Sequence, residues 1–141
     1  MLQRIQTLWT FLAVVCAALS FKFPFFSGTR VGTTPANSSP YLTAAGTTWI
    51  LLITSLIIIG GFFSIISYKS RRKQAWVTIG LILLSLLNIV LFYMETKKFM
   101  NGSGTFSLTS ILVLAIPVFL IMAFRGIVKD EKLVKSTDRL R

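Results

Sequence analysis

The sequence predicts an all-α membrane protein in which four transmembrane helices form an up-down bundle. Hydrophobic residues make up 54% of the 141 residues and the mean hydropathy is +0.76, which is too apolar for a soluble domain of this size. These residues are gathered into four runs long enough to cross a bilayer. Lys and Arg, 15 against 4 Asp and Glu, concentrate between and after the runs, as loops that flank membrane spans do.

The first predicted span covers residues 5–23, and Pro24 cannot continue its helix. A secretory signal peptide is the competing interpretation, because Arg4 precedes an apolar run that contains small residues near its end. The apolar character continues through Phe25 and Phe26, past the possible cleavage point. This continuity favours a retained membrane span.

Residues 24–46 are rich in Gly, Pro, Ser and Asn and are predicted to form a periplasmic loop. The second span follows at residues 47–67. Within it Gly60, Gly61 and Ser64 form a small-residue face that lets another helix backbone approach closely. That helix belongs either to a partner protein or to the same chain, and helix packing within the chain is the simpler interpretation.

A basic turn separates the second span from the third. It contains four cations that suit anionic lipid headgroups: Lys69, Arg71, Arg72 and Lys73. Cytoplasmic loops of membrane proteins carry an excess of Lys and Arg, so this turn is predicted to be cytoplasmic. Four spans then place eleven basic residues on the cytoplasmic side and four on the other, with both termini cytoplasmic.

The third and fourth spans are predicted at residues 76–93 and 107–124, which completes a membrane domain over residues 1–124. Asn88 and Ser85 lie one helical turn apart in the third span, and an amide at membrane depth needs a partner. They serve either as a link between helices or as part of a substrate path. Pro117 lies in the middle of the fourth span and is expected to bend it.

The basic tail, residues 125–141, is predicted to be a cytoplasmic helix, since Glu131 precedes Lys135 by four residues in the order that favours an ion pair. A helix of this kind either docks on a partner or lies on the membrane surface; a solvated tail is the alternative. The candidate docking residues are Lys129, Asp130, Glu131, Lys132, Lys135, Asp138 and Arg139.

The composition also excludes several chemistries. There is no His, one Cys and no Gly-rich phosphate loop, which argues against haem, His-bound metal and His-based catalysis. The four carboxylates are expected to lie outside the spans. No soluble basic module remains to bind nucleic acid once the spans are removed. We therefore expect neither an enzyme nor a cofactor or metal protein.

The two chain ends carry a resemblance. The segments MLQRIQTLW, residues 1–9, and KDEKLVKSTDRLR, residues 129–141, resemble the ends of an uncharacterised family of small four-helix membrane proteins from Bacteroidota, classed as a domain of unknown function. The resemblance extends over the whole chain. It implies a bacterial inner-membrane protein and brings no activity, cofactor or catalytic residue with it.

Two functions follow as expectations. The first is an accessory or assembly subunit that packs against a larger membrane complex and docks through its tail. The alternative is a small homo-oligomeric transporter or channel whose path is lined by Asn88, Ser85, Ser64 and Pro117. Known small carriers usually need a carboxylate within the membrane, which the predicted spans lack.

Overall fold

A computed structural model of the protein describes residues 2–28, 41–67, 70–99 and 104–138. These residues are mostly helical, as predicted, and contain four helices: α1 (Leu2–Leu19), α2 (Thr48–Ile66), α3 (Arg71–Thr96) and α4 (Ser110–Asp138). They also form three short strands that the sequence did not predict: β1 (Phe26–Ser27), β2 (Tyr41–Leu42) and β3 (Thr105–Phe106).

Three of the described helices are long and apolar enough to cross a membrane. The segments that meet this requirement are Thr48–Ile66, Lys73–Thr96 and Ser110–Glu131. The apolar part of α1, Ile5–Leu19, is shorter. At 1.5 Å per residue, the 18 residues of α1 extend over about 27 Å.

The helix ends differ from the predicted spans at several points. α1 ends at Leu19, four residues before the predicted end, because the chain turns there: the Ser20 hydroxyl donates to the Ala17 carbonyl at 2.7 Å and the Lys22 amide to the Leu19 carbonyl at 3.0 Å. α3 begins inside the basic turn, at Arg71. α4 runs without interruption through Pro117 and into the tail. The predicted fourth span and the start of the tail are therefore parts of one helix.

Contacts at both ends of the bundle establish an up-down order of helices. Gln6 near the start of α1 contacts Asp130 near the end of α4, and Ser64 near the end of α2 contacts Thr78 near the start of α3. The strands that follow α1, precede α2 and precede α4 meet at the opposite end. Each helix therefore runs antiparallel to its neighbours, and α1 closes the ring by packing against both α2 and α4.

The three strands form a small sheet that caps one end of the bundle, in the order β2-β1-β3 with both pairs antiparallel. Phe26 is the central residue, opposite Leu42 on one side and Phe106 on the other. The Thr109 hydroxyl donates to the Pro24 carbonyl, which ties the start of α4 to the segment after α1. The predicted periplasmic loop thus contributes ordered structure where its ends return to the bundle.

Aromatic rings pack beneath this sheet. Phe25 lies 4.7 Å from Phe92, and Phe26 lies 5.2 Å from Phe99 and 5.1 Å from Phe106, measured between ring centroids. Phe92 is completely buried. Rings after a membrane span usually lie at the headgroup level, but here Phe25 and Phe26 are core residues, because they pack against other buried rings. A second apolar cluster around Ala13, Ile57, Leu81, Ile116 and Leu120 fills the middle of the bundle.

We expect Gly104→Ala to destabilise this cap by about 2 kcal/mol, because added bulk in a packed region displaces its neighbours. A Cβ atom at Gly104 would lie 2.2 Å from the Cζ atom of the Phe26 ring. Gly46→Ala is the matched control at the same end, since its Cβ would lie 3.4 Å from the Thr43 carbonyl oxygen. Thermal unfolding in detergent, followed by circular dichroism, measures both; equal stability of the two variants would contradict the tight fit around Phe26.

Candidate functional site

The small residues of α2 face other helices of the same chain. A Cβ atom at Gly61 would lie 2.3 Å from Val14 Cγ2 on α1, and one at Gly60 would lie 2.6 Å from Leu81 Cδ2 on α3. Helix backbones approach this closely only where the side chain is absent. Gly60 and Gly61 therefore hold α2 against its two neighbours, and this small-residue face is occupied within the chain.

Two polar pairs join α2 to α3. Asn88 Nδ2 donates to Thr54 Oγ1 at 3.2 Å, and both side chains are buried. One end of the interface holds Ser64 and Thr78, whose hydroxyl oxygens are 3.4 Å apart. Since the Thr78 hydroxyl donates to the Gln74 carbonyl at 2.8 Å, Ser64 is the donor between the two. These side chains satisfy one another inside the bundle, as buried polar groups usually do.

Ser85 and Pro117 are buried as well, and neither makes a polar contact with another helix within the described residues. The Ser85 hydroxyl donates back to the Ile82 carbonyl of its own helix at 2.7 Å. Ser85, Asn88, Ser64 and Pro117 thus lie in packed or self-bonded surroundings. Of these four residues, Asn88 and Ser64 link α3 to α2, whereas Ser85 bonds within its own helix.

We expect Asn88→Leu to cost about 1 kcal/mol, because hydrogen bonds between membrane helices contribute about 0.6 kcal/mol on average and at most about 1.7 kcal/mol. The change leaves Thr54 able to bond only to its own helix. Thr54→Val removes the other side chain of the pair. The double variant should lose little more stability than either single variant. Unfolding titrations in mixed micelles test this, and strictly additive losses would show that the two side chains are not coupled.

The carboxylate of Asp130 lies at the opposite helix interface, between α1 and α4. Gln6 Nε2 donates a hydrogen bond to Asp130 Oδ2, and only 5% of Gln6 and 8% of Asp130 are exposed. The Thr10 hydroxyl, one turn further along α1, donates to the Gln6 carbonyl at 3.1 Å. Asp130 was a candidate docking residue, but its side chain is directed at this chain's own first helix.

Close packing supports this contact. A Cβ atom at Gly126, one turn before Asp130, would lie 2.7 Å from Gln6 Cγ. The glycine allows α1 to approach α4, and this approach brings the amide to the carboxylate. The sequence did not single out Gln6 or Gly126. A signal existed, since Gln6 and Thr10 are polar residues spaced by four on one face of an apolar helix.

Two of the carboxylates lie near the ends of long apolar helices, beyond the predicted spans. Asp130 falls near the end of Ser110–Glu131 in α4, and Glu95 near the end of Lys73–Thr96 in α3. Only 8% of Glu95 is exposed, and its Oε1 lies 2.6 Å from Lys98 Nζ. Both helices are longer than the apolar runs from which the spans were read. Their last turns therefore hold partnered carboxylates close to each end of the bundle.

At the Gln6–Asp130 end of the bundle, the basic side chains that the structure describes lie on its surface. Lys73, Arg125 and Lys129 are exposed. Glu131 is half-buried and has an interaction partner. Of the other predicted headgroup and docking residues, Lys69 and Arg139 lie outside the described residues, and only the helical backbone is described for five more: Arg71, Arg72, Lys132, Lys135 and Asp138.

The described residues offer helix contacts and one apolar groove as features that could bind another molecule. Among the residues that the structure describes, no cluster of three His, Cys, Asp or Glu side chains could hold a metal ion. Asp130 accepts a hydrogen bond from the side-chain amide of Gln6. An open apolar groove of about 340 Å³ lies between α1 and α2, lined by Thr7, Leu8, Phe11, Phe62 and Ile65. The chain thus offers surfaces and helix contacts.

Comparison with known proteins agrees with the resemblance seen at the chain ends. No curated protein and no solved structure matches the chain. One family model matches residues 2–140, nearly the whole chain, and both ends that meet at Gln6 and Asp130 lie within the match. The protein therefore belongs to the family described as "Domain of unknown function (DUF4293)".

Proposed function

We propose that the protein is a multi-pass protein of the bacterial inner membrane that acts as an accessory or assembly subunit of a larger membrane complex. In this proposal all four helices cross the bilayer, both termini are cytoplasmic, and the end of α4 docks on a partner protein. The protein itself is neither an enzyme nor a transporter.

The charge distribution supports the orientation. Lys73, Arg125 and Lys129 lie at the end of the bundle where Gln6 meets Asp130, whereas Lys22, Lys97 and Lys98 lie near the sheet. The predicted topology assigns eleven basic residues to the cytoplasmic side and four to the other. Lys and Arg are enriched on the cytoplasmic side of membrane proteins. The sheet would then face the periplasm.

The observation that carries the docking proposal is the continuity of α4. Its 29 residues, Ser110–Asp138, extend over about 43 Å, which exceeds the bilayer core of about 30 Å. The tail therefore leaves the membrane as a helix joined rigidly to a span. A preordered helix loses little conformational entropy on binding, which favours docking over a solvated tail.

The charge of this projecting helix indicates the kind of partner. Beyond the apolar segment that ends at Glu131, residues 132–141 contain four basic residues and one acidic residue. A cytoplasmic protein surface rich in Asp and Glu is the complementary occupant. The transporter alternative would need Asn88, Ser85, Ser64 and Pro117 to line a path, and their inward contacts favour the accessory role instead.

Photo-crosslinking in intact membranes tests the proposal. A photoreactive residue is placed at Lys135, with Leu114 as the control because it is 49% exposed in the middle of α4. We expect one stoichiometric protein adduct at position 135, none at 114, and loss of the adduct when Lys132→Glu is added. Recovery of only monomer or homo-oligomer, in several mild detergents and without an adduct at 135, would contradict the proposal.

A further inference from the structure

We propose that the outer surface of α4 binds one anionic phospholipid, with the phosphate held by Arg125 and Lys129 and an acyl chain lying along Phe124 and Val128. These four residues line a groove of about 260 Å³, here called the outer α4 groove. The site does not depend on the docking partner proposed above.

Helix geometry places the two cations together on the surface. Arg125 and Lys129 are four residues apart, so they are neighbours on one face, and both are exposed. Phe124 and Val128 lie on the adjoining strip of that face and are half-buried. The groove thus has a cationic side and an apolar side. This pairing matches a phospholipid, which joins a phosphate to hydrocarbon, better than it matches a free ion.

Neither cation is neutralised within the described residues. An ion pair joins Lys98 to Glu95 near the sheet, at the other end of the bundle. The carboxylate nearest in sequence, Asp130, is buried against Gln6, whereas both cations are exposed. Arg125 and Lys129 therefore direct their charge outward, toward the groove.

The position along α4 suits a headgroup. The apolar segment Ser110–Glu131 ends just beyond Lys129, so the groove lies where a spanning helix leaves the hydrocarbon. Long basic side chains at this level extend toward the phosphates while their stems stay in the apolar region. Arg also binds phosphate oxygens in a bidentate manner, which a surface Lys alone does not.

Native mass spectrometry of the full chain tests the site, using protein reconstituted with phosphatidylcholine alone or mixed with phosphatidylglycerol. We expect one retained phosphatidylglycerol and no retained phosphatidylcholine. Each basic residue near an anionic surface strengthens binding about fivefold, so Arg125→Gln with Lys129→Gln should weaken retention about thirtyfold. Lys22→Gln with Lys97→Gln removes the same charge at the other end of the bundle and should change retention less than twofold.

Val128→Trp fills the groove and leaves both charges in place, and circular dichroism verifies that each variant is folded. We expect this change to reduce phosphatidylglycerol retention, while inorganic phosphate does not compete with the lipid. Three outcomes would overturn the proposal: equal losses in the two charge variants, full retention in Val128→Trp, or an acidic protein that copurifies with the lipid-free chain through Arg125 and Lys129.

Discussion

Gly61→Leu should destabilise the folded protein by about 3 kcal/mol, the largest loss expected of any single change considered. A Cβ atom alone would lie 2.3 Å from Val14 Cγ2, and the rest of the leucine side chain would need space that α1 occupies. Val14 is buried, and a β-branched side chain in a helix has one strongly preferred rotamer. Because Val14 cannot rotate away, the helices themselves must separate.

Gly80→Leu provides the matched control, because a Cβ atom at Gly80 meets nothing within 4 Å. Alanine is a better helix former than glycine by roughly 0.8–1.0 kcal/mol and leucine ranks next to alanine, so this variant should be as stable as the parent or slightly more stable. Unfolding titrations with sodium dodecyl sulfate in mixed micelles measure both variants. Similar stabilities for the two leucine variants would show that α1 and α2 are not in contact at Gly61.

Asp130→Leu is expected to cost about 2 to 3 kcal/mol, because a buried polar group that loses its partner keeps its desolvation penalty. The change leaves the Gln6 side-chain amide without its acceptor in the interface between α1 and α4. It also removes a hydrogen bond to a charged group, which is stronger than one between neutral groups. The same unfolding titration gives the loss of stability.

A double-mutant cycle with Gln6→Leu isolates the pair from other effects of each substitution. We expect a coupling energy of about 1.5 to 3 kcal/mol between the two positions, the range for hydrogen bonds to charged groups. Asp130→Asn keeps an acceptor oxygen and should lose less than half as much as Asp130→Leu. Additive losses in the double variant would mean that the amide and the carboxylate do not stabilise one another.

The number and type of helices could be predicted from the sequence because apolar runs of membrane length have few alternative structures. The helix ends were less predictable. At Arg71 and beyond Phe124 the composition changes from apolar to basic, but the helical hydrogen bonds continue, so α3 and α4 extend past the apolar runs. The sheet was missed because strands of two residues have no periodicity of their own.

The candidate site residues were also only partly predictable from the sequence. The interpretation of Asn88 as a residue that needs a partner follows from the cost of an unpaired amide in lipid, whereas the identity of Thr54 as that partner does not. Asp130 was assigned to the tail by its charged neighbours. Its contact with Gln6 joins residues that are 124 positions apart, and no local pattern encodes such a distance.

The sequence by itself determined that this chain is built of apolar helices separated by a basic turn, because hydropathy and charge are properties of each segment alone. Only the tertiary structure decided which surfaces remain available. Gly60 and Gly61 pack against neighbouring helices, and Asp130 is directed inward to Gln6. Arg125 and Lys129 remain exposed on the surface. The physical reason is that partners for buried groups are chosen by helix packing across the whole bundle, which a linear pattern does not contain.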